Sequence, residues 1–185
     1  MTPFRVTVCA SGGGGNFQAL IDARRDLKIE INLLIVDRDC GAIERAKSAG
    51  IPVVRVARKS LNQDLARSIP DNTDLVVLAG FMPIIPAEIC SRWERKMINT
   101  HPSLLPKFGG KGMYGVKVQE AVMAAKEKTA GCTVHYVSCE IDGGEIILQK
   151  SVAVDSNETP WQLGGRIFLE ENKLLVEAVR LLRTK

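Results

Sequence analysis

Short apolar runs alternate along the first half of the chain with segments whose apolar residues recur at helical spacing. In the first such segment Phe17, Leu20 and Ile21 share one face of a helix. The second such segment, Ala42–Ala49, is followed by Gly50, which ends the helix. Strands of almost unbroken apolar character, separated by helices, are typical of a parallel sheet covered on both faces. The predicted strands are Phe4–Cys9, Ile29–Val36, Val53–Val56, Leu75–Leu78 and Met97–Asn99, and the predicted helices are Phe17–Arg25, Ala42–Ala49, Leu61–Ile69 and Pro86–Trp93.

The second half has a different pattern, with a glycine- and lysine-rich loop and two strands close together. Its predicted elements are loop Lys107–Tyr114, helix Val116–Ala125, strands Thr133–Val137 and Ile146–Val154, and the connecting segment Glu140–Gly144. A long helix follows, with Thr159 as N-cap, Pro160 at the first helical position and Gln162 completing a capping box. Because no repeat or linker interrupts the pattern, we expect residues 1–185 to form one α/β domain.

Composition and charge narrow the class of protein. The chain has 185 residues, enough for one domain with a full core, and a formal net charge of +4. This charge suits a small anionic substrate, whereas dispersed basic residues and few aromatics argue against a nucleic-acid partner. Without a membrane-spanning apolar run or a signal peptide, we expect a cytoplasmic protein with no membrane partner. The five cysteines contain no C-x-x-C pair, which predicts reduced, buried thiols.

The stretch from Asn99 to Pro106 carries the strongest indication of chemistry. His101, one of the two histidines in the chain, lies two residues after Asn99 at the end of an apolar run. Alternate residues of an extended segment project to the same side, so an amide that can stabilise an oxyanion lies beside an imidazole that can move a proton. A plain polar residue at a strand end is the alternative, but open α/β sheets bind ligands at this edge. We interpret both residues as candidate catalytic groups.

A glycine-rich loop after the first strand is a candidate phosphate site. The loop consists of Gly12, Gly13, Gly14, Gly15 and Asn16. Backbone N–H groups at the start of the following helix, together with the helix dipole, favour an anion there. A tight turn and a dinucleotide loop are the alternatives. Phe17 occupies the last glycine position of the G-x-G-x-x-G pattern, which favours a monophosphate over a dinucleotide.

Three further polar residues have both structural and functional interpretations. Asp142 precedes two glycines in a common turn sequence, but beside His101 its carboxylate can orient the imidazole or raise its pKa. Glu171 lies on the apolar stripe of the last helix, so it is either a rim residue or a ligand contact. His135 is the competing histidine, and we interpret it as structural although it can line the same cavity.

An apolar segment, Phe81–Pro86, follows the fourth predicted strand at the same edge of the sheet. It is either core packing or one wall of a slot for a flat heterocycle. No metal site is predicted, because the two histidines are far apart and no cysteine pair lies near either.

Together these motifs resemble the folate-dependent formyltransferases over nearly the whole chain. The segments that carry the resemblance are Ser11–Asn16, Leu78–Met82, Asn99–Pro106, and Asp142–Gly144 followed by Ile147–Gln149. Asn99, His101 and Asp142 match, in that order, the catalytic triad of the family. The glycine loop alone is weakly specific, whereas the ordered set is strongly specific.

The resemblance implies a Rossmann-like fold, with a mostly parallel twisted sheet and helices on both faces. It also implies transfer of a formyl group from the co-substrate 10-formyltetrahydrofolate to the amine of glycinamide ribonucleotide, with no metal. Residues 1–100 would form a ribonucleotide-binding half and residues 101–185 a folate-binding and catalytic half. Gly12–Asn16 would bind the phosphate, Glu171 would contact the sugar or glycinamide part, and Leu105-Pro106 would be a cis peptide. The folate contacts would be Phe81, Met82, Pro83, Ile84, Ile85, Asn99, Cys139, Glu140, Ile141 and Asp142.

The chain departs from the family pattern at three of these positions. Gly13 and Gly15 replace the usual Asn and Ser, so backbone groups must bind the phosphate alone. Pro83 replaces a common arginine, which removes one folate contact. Lys107 and Lys111 are candidates to reach the folate tail or the phosphate.

The mechanism that the resemblance implies gives each triad residue a separate chemical role. Asn99 would donate to the formyl oxygen, His101 would act near the same oxygen, and Asp142 would relay a proton through an ordered water.

Three other functions are compatible with parts of this pattern. Formyltetrahydrofolate hydrolase has the same kind of triad and usually an N-terminal regulatory domain, while methionyl-tRNA formyltransferase needs a C-terminal RNA-binding domain. We expect neither additional domain. The third alternative is a non-catalytic sugar-phosphate-binding module. We expect a monomer or homodimer that acts on small molecules.

Overall fold

Seven strands form one sheet within residues 3–184, the part of the chain that the computed structural model describes. They are β1 Phe4–Ala10, β2 Ile29–Val36, β3 Val53–Arg55, β4 Leu75–Leu78, β5 Met97–His101, β6 Thr129–Tyr136 and β7 Ile146–Ala153. Their order is β3-β2-β1-β4-β5-β6-β7. Pairing is parallel from β3 to β5 and antiparallel from β5 to β7, which confirms the predicted mostly parallel sheet.

Helices of the described chain cover both faces of the sheet. They are α1 Gly15–Leu27, α2 Ala42–Ala49, α3 Leu61–Ser68, α4 Ala87–Arg92, α5 Val116–Ala124 and α6 Pro160–Arg183. Because strand side chains alternate between faces, Val77 packs in the core beneath α1, α2, α5 and α6, while Val76 packs beneath α3 and α4. The predicted single α/β domain with two covered faces is therefore confirmed.

Two strand boundaries differ from the prediction by more than one residue, because of pairing between strands. β5 continues to His101, which pairs with Thr133 of β6, so His101 lies within the strand and not after it. β6 begins at Thr129, where it pairs with Ala153 of β7. Sequence periodicity does not contain these cross-strand hydrogen bonds, which extend both strands.

The order of the strands defines where a ligand can bind. After β1 the chain adds β2 and β3 on one side of it, and then adds β4 and β5 on the other side. The order in which strands are added therefore reverses between β1 and β4. The carboxyl ends of β1, β4 and β5 meet at one edge, because these strands are parallel. Ligands of open α/β sheets bind at this type of edge.

The last helix begins as predicted. Thr159 accepts the N–H of Gln162, and the Thr159 N–H donates to Gln162 Oε1 at 2.7 Å, which completes the capping box. The buried stripe of α6 contains Glu171 next to Leu174 and Leu175. None of the helices in residues 3–184 combines the length and apolar character needed to cross a bilayer.

The five cysteines are free thiols in different environments. Cys9, Cys90 and Cys132 are buried as predicted, and Cys40 is half-buried. Cys139 is exposed, so the prediction of buried thiols is wrong for this residue, because the loop after β6 carries it to the surface.

Candidate active site

A cavity of about 700 Å³ opens at the carboxyl ends of β4 and β5. Its size is typical of sites for small organic ligands. The segment after β4, the end of β5, the loop before α5 and the loop between β6 and β7 supply its walls. Asn99, His101 and Asp142 all line it, although Asp142 is distant from the other two in sequence. The fold therefore brings the three predicted triad residues to one place.

Both ring nitrogens of His101 face acceptor atoms of the protein. The Nε2 atom lies 2.9 Å from the carbonyl oxygen of Phe108, which can only accept, so Nε2 carries a proton. The Nδ1 atom lies 3.6 Å from Oδ2 of Asp142. His101 is buried, with 4% of its surface exposed, so this arrangement is shielded from bulk water. The imidazole is thereby oriented between a carbonyl and a carboxylate.

His135 connects the same residues from the neighbouring strand. Its Nδ1–H donates to the Tyr136 carbonyl at 2.8 Å, while Nε2 lies 3.2 Å from Nδ2 of Asn99 and 3.7 Å from Oδ1 of Asp142. Burial lowers the pKa of His135, so the neutral ring accepts from the Asn99 amide. The two interpretations of His135 are thus compatible: it is buried and hydrogen-bonded, and it lines the cavity. Within residues 3–184 no group of three or more His, Cys, Asp and Glu side chains is placed to hold a metal ion.

The turn that carries Asp142 has a specific geometry. Asp142 has a φ of 56°, in the left-handed region that non-glycine residues adopt infrequently. Its Oδ2 atom accepts the N–H of Gly110 at 2.9 Å, and its side chain is 10% exposed. A Cβ atom on Gly144 would overlap the carbonyl oxygen of Tyr136, so glycine is required there. The Asp-Gly-Gly sequence therefore allows the turn to approach β6 and to direct the carboxylate inward.

Glu171 is a buried carboxylate held by two neutral donors. Its Oε1 atom accepts from Thr100 Oγ1 at 2.8 Å and from Asn16 Nδ2 at 2.8 Å. Burial raises the pKa of Glu171, and the two hydrogen bonds and His101 oppose this shift. Only 6% of the residue is exposed, and it lines the cavity, so it is not a rim residue. The Oδ1 atom of Asn16 is buried and has no hydrogen-bond partner among the described residues. Both side chains therefore present acceptor atoms near the cavity.

Arg45 of α2 holds the glycine loop. Its Nε donates to the Gly13 carbonyl at 2.7 Å, and its Nη1 donates to Gln18 Oε1 at 3.0 Å. Gly14 caps α1 with a φ of 74°, a conformation that suits glycine. The first N–H groups of α1 have no partner inside the helix and lie at its positive end. The loop and Arg45 together place positive charge and donor groups where we expect the phosphate.

Phe168 of α6 lies directly over the glycine at position 15. A Cβ atom on Gly15 would overlap the Phe168 ring, whereas the space around Gly12 and Gly13 is open. A side chain at position 15 would therefore displace the exposed Phe168 ring, and a side chain at position 13 would not. Phe168 is 39% exposed and lines the cavity, as does Asn16 at the end of the loop.

The apolar segment after β4 lies on the opposite wall. The residues of this wall that were predicted from the sequence are Phe81, Met82, Pro83, Ile84, Ile85, Cys139, Glu140 and Ile141. Ile84 is 66% exposed and Met82 is 46% exposed, which excludes core packing as their role. The Met82 N–H donates to Ser11 Oγ at 2.8 Å, which ties the segment to the end of β1. Lys111 lines the cavity, whereas Lys107 pairs with Glu127 at 2.7 Å.

Sequence reasoning missed several residues that line the cavity, among them Thr100, Trp161 and Phe168. Thr100 had a signal, because it is a polar residue between Asn99 and His101 at the end of a strand that starts apolar. Trp161 is 74% exposed and stands with Phe168 on the outer side of an amphipathic helix. Large apolar residues on the otherwise polar side of this helix could have indicated a surface that contacts a ligand.

Comparison with known proteins agrees with this arrangement. A family model described as formyl transferase matches residues 4–179. The chain is 39% identical over 186 residues to a chloroplastic phosphoribosylglycinamide formyltransferase from Arabidopsis thaliana, with 95% of this chain and 64% of that protein covered. It thus spans less than two thirds of the length of the plant protein.

Solved structures show the same relationship. The crystal structure of phosphoribosylglycinamide formyltransferase from Anaplasma phagocytophilum superposes with a TM-score of 0.91 at 37% identity, covering 99% of this chain and 88% of that one. A formyltetrahydrofolate deformylase from Pseudomonas syringae superposes with a TM-score of 0.87 at 25% identity, covering 97% of this chain and 61% of that one. With a family match that extends from β1 into α6, the chain belongs to the formyl transferase family.

Proposed function

We propose that this chain is a phosphoribosylglycinamide formyltransferase of de novo purine biosynthesis. It transfers the formyl group of 10-formyltetrahydrofolate to the amine of glycinamide ribonucleotide and releases tetrahydrofolate. The observation that carries this proposal is the convergence of Asn99, His101 and Asp142 on one cavity wall, next to the buried Glu171, in a member of this family. The names of the relatives from Arabidopsis and Anaplasma support the same assignment.

Asn99 stabilises the charge that develops on the formyl oxygen. When the substrate amine attacks the formyl carbon, the carbonyl oxygen becomes an oxyanion. The Asn99 amide has two N–H donors, and His135 engages one of them, which orients the other toward the cavity. Loss of one such donor costs about 10²–10³ in rate.

His101 and Asp142 manage the proton. In its protonated form His101 donates from Nε2 to the Phe108 carbonyl and from Nδ1 toward Asp142, so its charge lies close to the tetrahedral intermediate. The bond from the formyl carbon to N10 of the folate breaks as N10 receives a proton, and the attacking amine loses one. Asp142, through a water molecule, accepts the proton that the amine loses and supplies the proton that N10 receives, an assistance worth about 10²–10⁴.

The two substrates occupy opposite sides of the triad formed by Asn99, His101 and Asp142. The ribonucleotide phosphate binds at Gly12–Asn16 and Arg45, and Glu171 accepts hydrogen bonds from its sugar or glycinamide part. The folate pterin lies between Phe81–Ile85 and Cys139–Asp142. Each side uses residues from both 1–100 and 101–185, so one domain carries the whole site. The protein acts in the cytoplasm on these small molecules, as a monomer or homodimer.

The main competing function is hydrolysis of the formyl folate. The structural similarity to the Pseudomonas deformylase is the observation that favours it. Hydrolysis needs water at the place of the substrate amine. The Asn16, Thr100 and Glu171 cluster favours transfer, because a hydrolase has no use for buried acceptors on the ribonucleotide side. A sugar-phosphate-binding module would not need Asn99, His101 and Asp142.

The experiment that tests the proposal follows the absorbance of a 10-formyl folate analogue with and without glycinamide ribonucleotide. We expect conversion only when the ribonucleotide is present. Deformylation that ignores the ribonucleotide would identify a hydrolase, and no conversion in either case would leave a binding module. His101→Ala should lower kcat sharply with little effect on binding, whereas Lys107→Ala, a surface change outside the cavity, should not.

A further inference from the structure

The thiol of Cys90 contacts the backbone next to Cys139, at the cavity wall where we expect the folate. Cys90 on α4 is buried, and its Sγ atom lies 3.5 Å from the Ser138 carbonyl oxygen and 3.7 Å from that of Ile85. Cys139, the residue after Ser138, is exposed and lines the cavity. Burial raises the pKa of the Cys90 thiol, and the adjacent Cys139 thiol raises it further through repulsion and hydrogen bonding. An exposed thiol thus lies next to a buried one.

We propose that Cys90 and Cys139 are a dithiol modification site, at which a hydroperoxide forms a disulfide that reversibly inhibits the enzyme. Cys139 is the residue that meets the oxidant, because it is exposed. Cys90 is the resolving residue, because it is away from solvent and its Sγ atom contacts the carbonyl of Ser138, the neighbour of Cys139. The inhibitory part of this inference rests on the proposed formyl transfer, whereas the disulfide itself does not.

The reaction balances with the peroxide as the oxidant. The Cys139 thiolate attacks one peroxide oxygen, the O–O bond breaks, and the first water leaves once protonated, which gives a sulfenic acid. The Cys90 sulfur then attacks the sulfenic sulfur, the S–O bond breaks, and a second water leaves with the Cys90 proton. Two thiols lose two electrons in total, and one hydroperoxide gains them. A dithiol such as dithiothreitol restores both cysteines by exchange.

Disulfide formation acts on catalysis through the loop that carries Asp142. The Glu140 carbonyl accepts the Ser138 hydroxyl at 3.1 Å and the Gly143 N–H at 3.2 Å, so the loop moves as one unit. A disulfide requires the Cys139 sulfur to lie at covalent distance from the Cys90 sulfur, and this pulls the loop toward α4. Because a displacement of about 1 Å in positioned groups can cost about 100-fold, we expect a loss of about 10- to 100-fold in kcat/KM for the formyl folate.

The first test detects the disulfide directly and does not depend on activity. The whole protein is treated with hydrogen peroxide, remaining thiols are blocked, and peptides are mapped by mass spectrometry. We expect a linked pair of peptides that contain Cys90 and Cys139, lost on reduction and absent in Cys90→Ser. Cys40→Ser is the matched control, since Cys40 is a half-buried thiol elsewhere, and it should keep the link. Sulfinic acid at Cys139 without any link would overturn the proposal.

The second test measures turnover of the formyl folate by the same samples. Oxidised wild-type protein should lose activity and regain it with dithiothreitol, while Cys90→Ser should have nearly wild-type activity before and after peroxide. A mapped disulfide with unchanged turnover would overturn the inhibitory role. If reduced wild-type protein has no turnover at all, the proposed function fails, and the peptide map still decides the modification site.

Discussion

Removing the Thr100 hydroxyl tests whether a neutral donor controls the charge of Glu171. Thr100→Val keeps the shape of the side chain and deletes the 2.8 Å hydrogen bond to Glu171 Oε1. A buried hydrogen bond to a charged group is worth about 1.5–3 kcal/mol, so the pKa of Glu171, already raised by burial, should rise further when this bond is lost. The carboxylate would then take up a proton nearer neutral pH.

The sign of the effect on stability follows from proton linkage. Because the folded pKa of Glu171 is raised above its ordinary value of 4.5, the native state binds more protons, and stability from this group is lost as pH rises above 4.5. Thr100→Val should extend this loss to higher pH, so the difference from wild type is small at pH 4.5 and grows toward neutral pH. Its plateau of about 1.5–3 kcal/mol corresponds to about 3–12 °C in Tm.

The assay is thermal unfolding across pH, paired with the KM for glycinamide ribonucleotide. KM should rise by about 10- to 100-fold near neutral pH and recover partly at alkaline pH, since the carboxylate ionises again. Thr100→Ser, which keeps the hydroxyl, should restore both the pH profile and KM. Parallel stability curves for wild type and Thr100→Val, with equal KM at every pH, would refute the reasoning.

Three further predictions concern other parts of the site. Gly15→Ser should destabilise the protein by about 0.5–1.5 kcal/mol in calorimetry, because its Cβ forces the exposed Phe168 ring out of its present rotamer, and Phe168→Ala in the same chain should recover much of this loss; additive effects would contradict the contact. Asp142→Asn should lower kcat by about 10²–10⁴ while the circular dichroism spectrum is unchanged, since an amide cannot take the proton; normal kcat would remove Asp142 from the mechanism. The pKa of His135 is lowered from 6.5 by burial, so its contribution to stability is present above pH 6.5 and is lost as pH falls below it; His135→Gln should flatten this slope in unfolding measurements, and an unchanged slope would show that the pKa of His135 is not lowered in the native state.

The sequence was sufficient for the architecture because periodicity reports directly on burial. Apolar runs such as Ile29–Val36 and Leu75–Leu78 have the same bounds in the structure, and the α6 cap lies at Thr159 as its sequence indicates. The end of β5 was missed, because it depends on pairing with a strand distant in sequence. Local patterns contain no information about that partner.

In the candidate site, too, residue types could be predicted from the sequence, whereas contacts between distant elements could not. Asn99, His101 and Asp142 were found by residue type and order, and their convergence depends on the fold. The Thr100 bond to Glu171 and the contact of Cys90 with the loop after β6 could not be predicted, because each joins elements whose relative placement only the packed chain determines. Sequence reasoning thus found the candidate reactive groups and missed several of the residues that contact them.

The contact between Gly15 and Phe168 constrains how this site could have changed during evolution. A serine at position 15 and the ring at position 168 compete for the same space, so a lineage that gained the serine had to turn the exposed ring outward or replace it with a smaller residue. In related chains the two positions should therefore vary together, and a chain that has both a serine and an aromatic residue should show the ring in another rotamer.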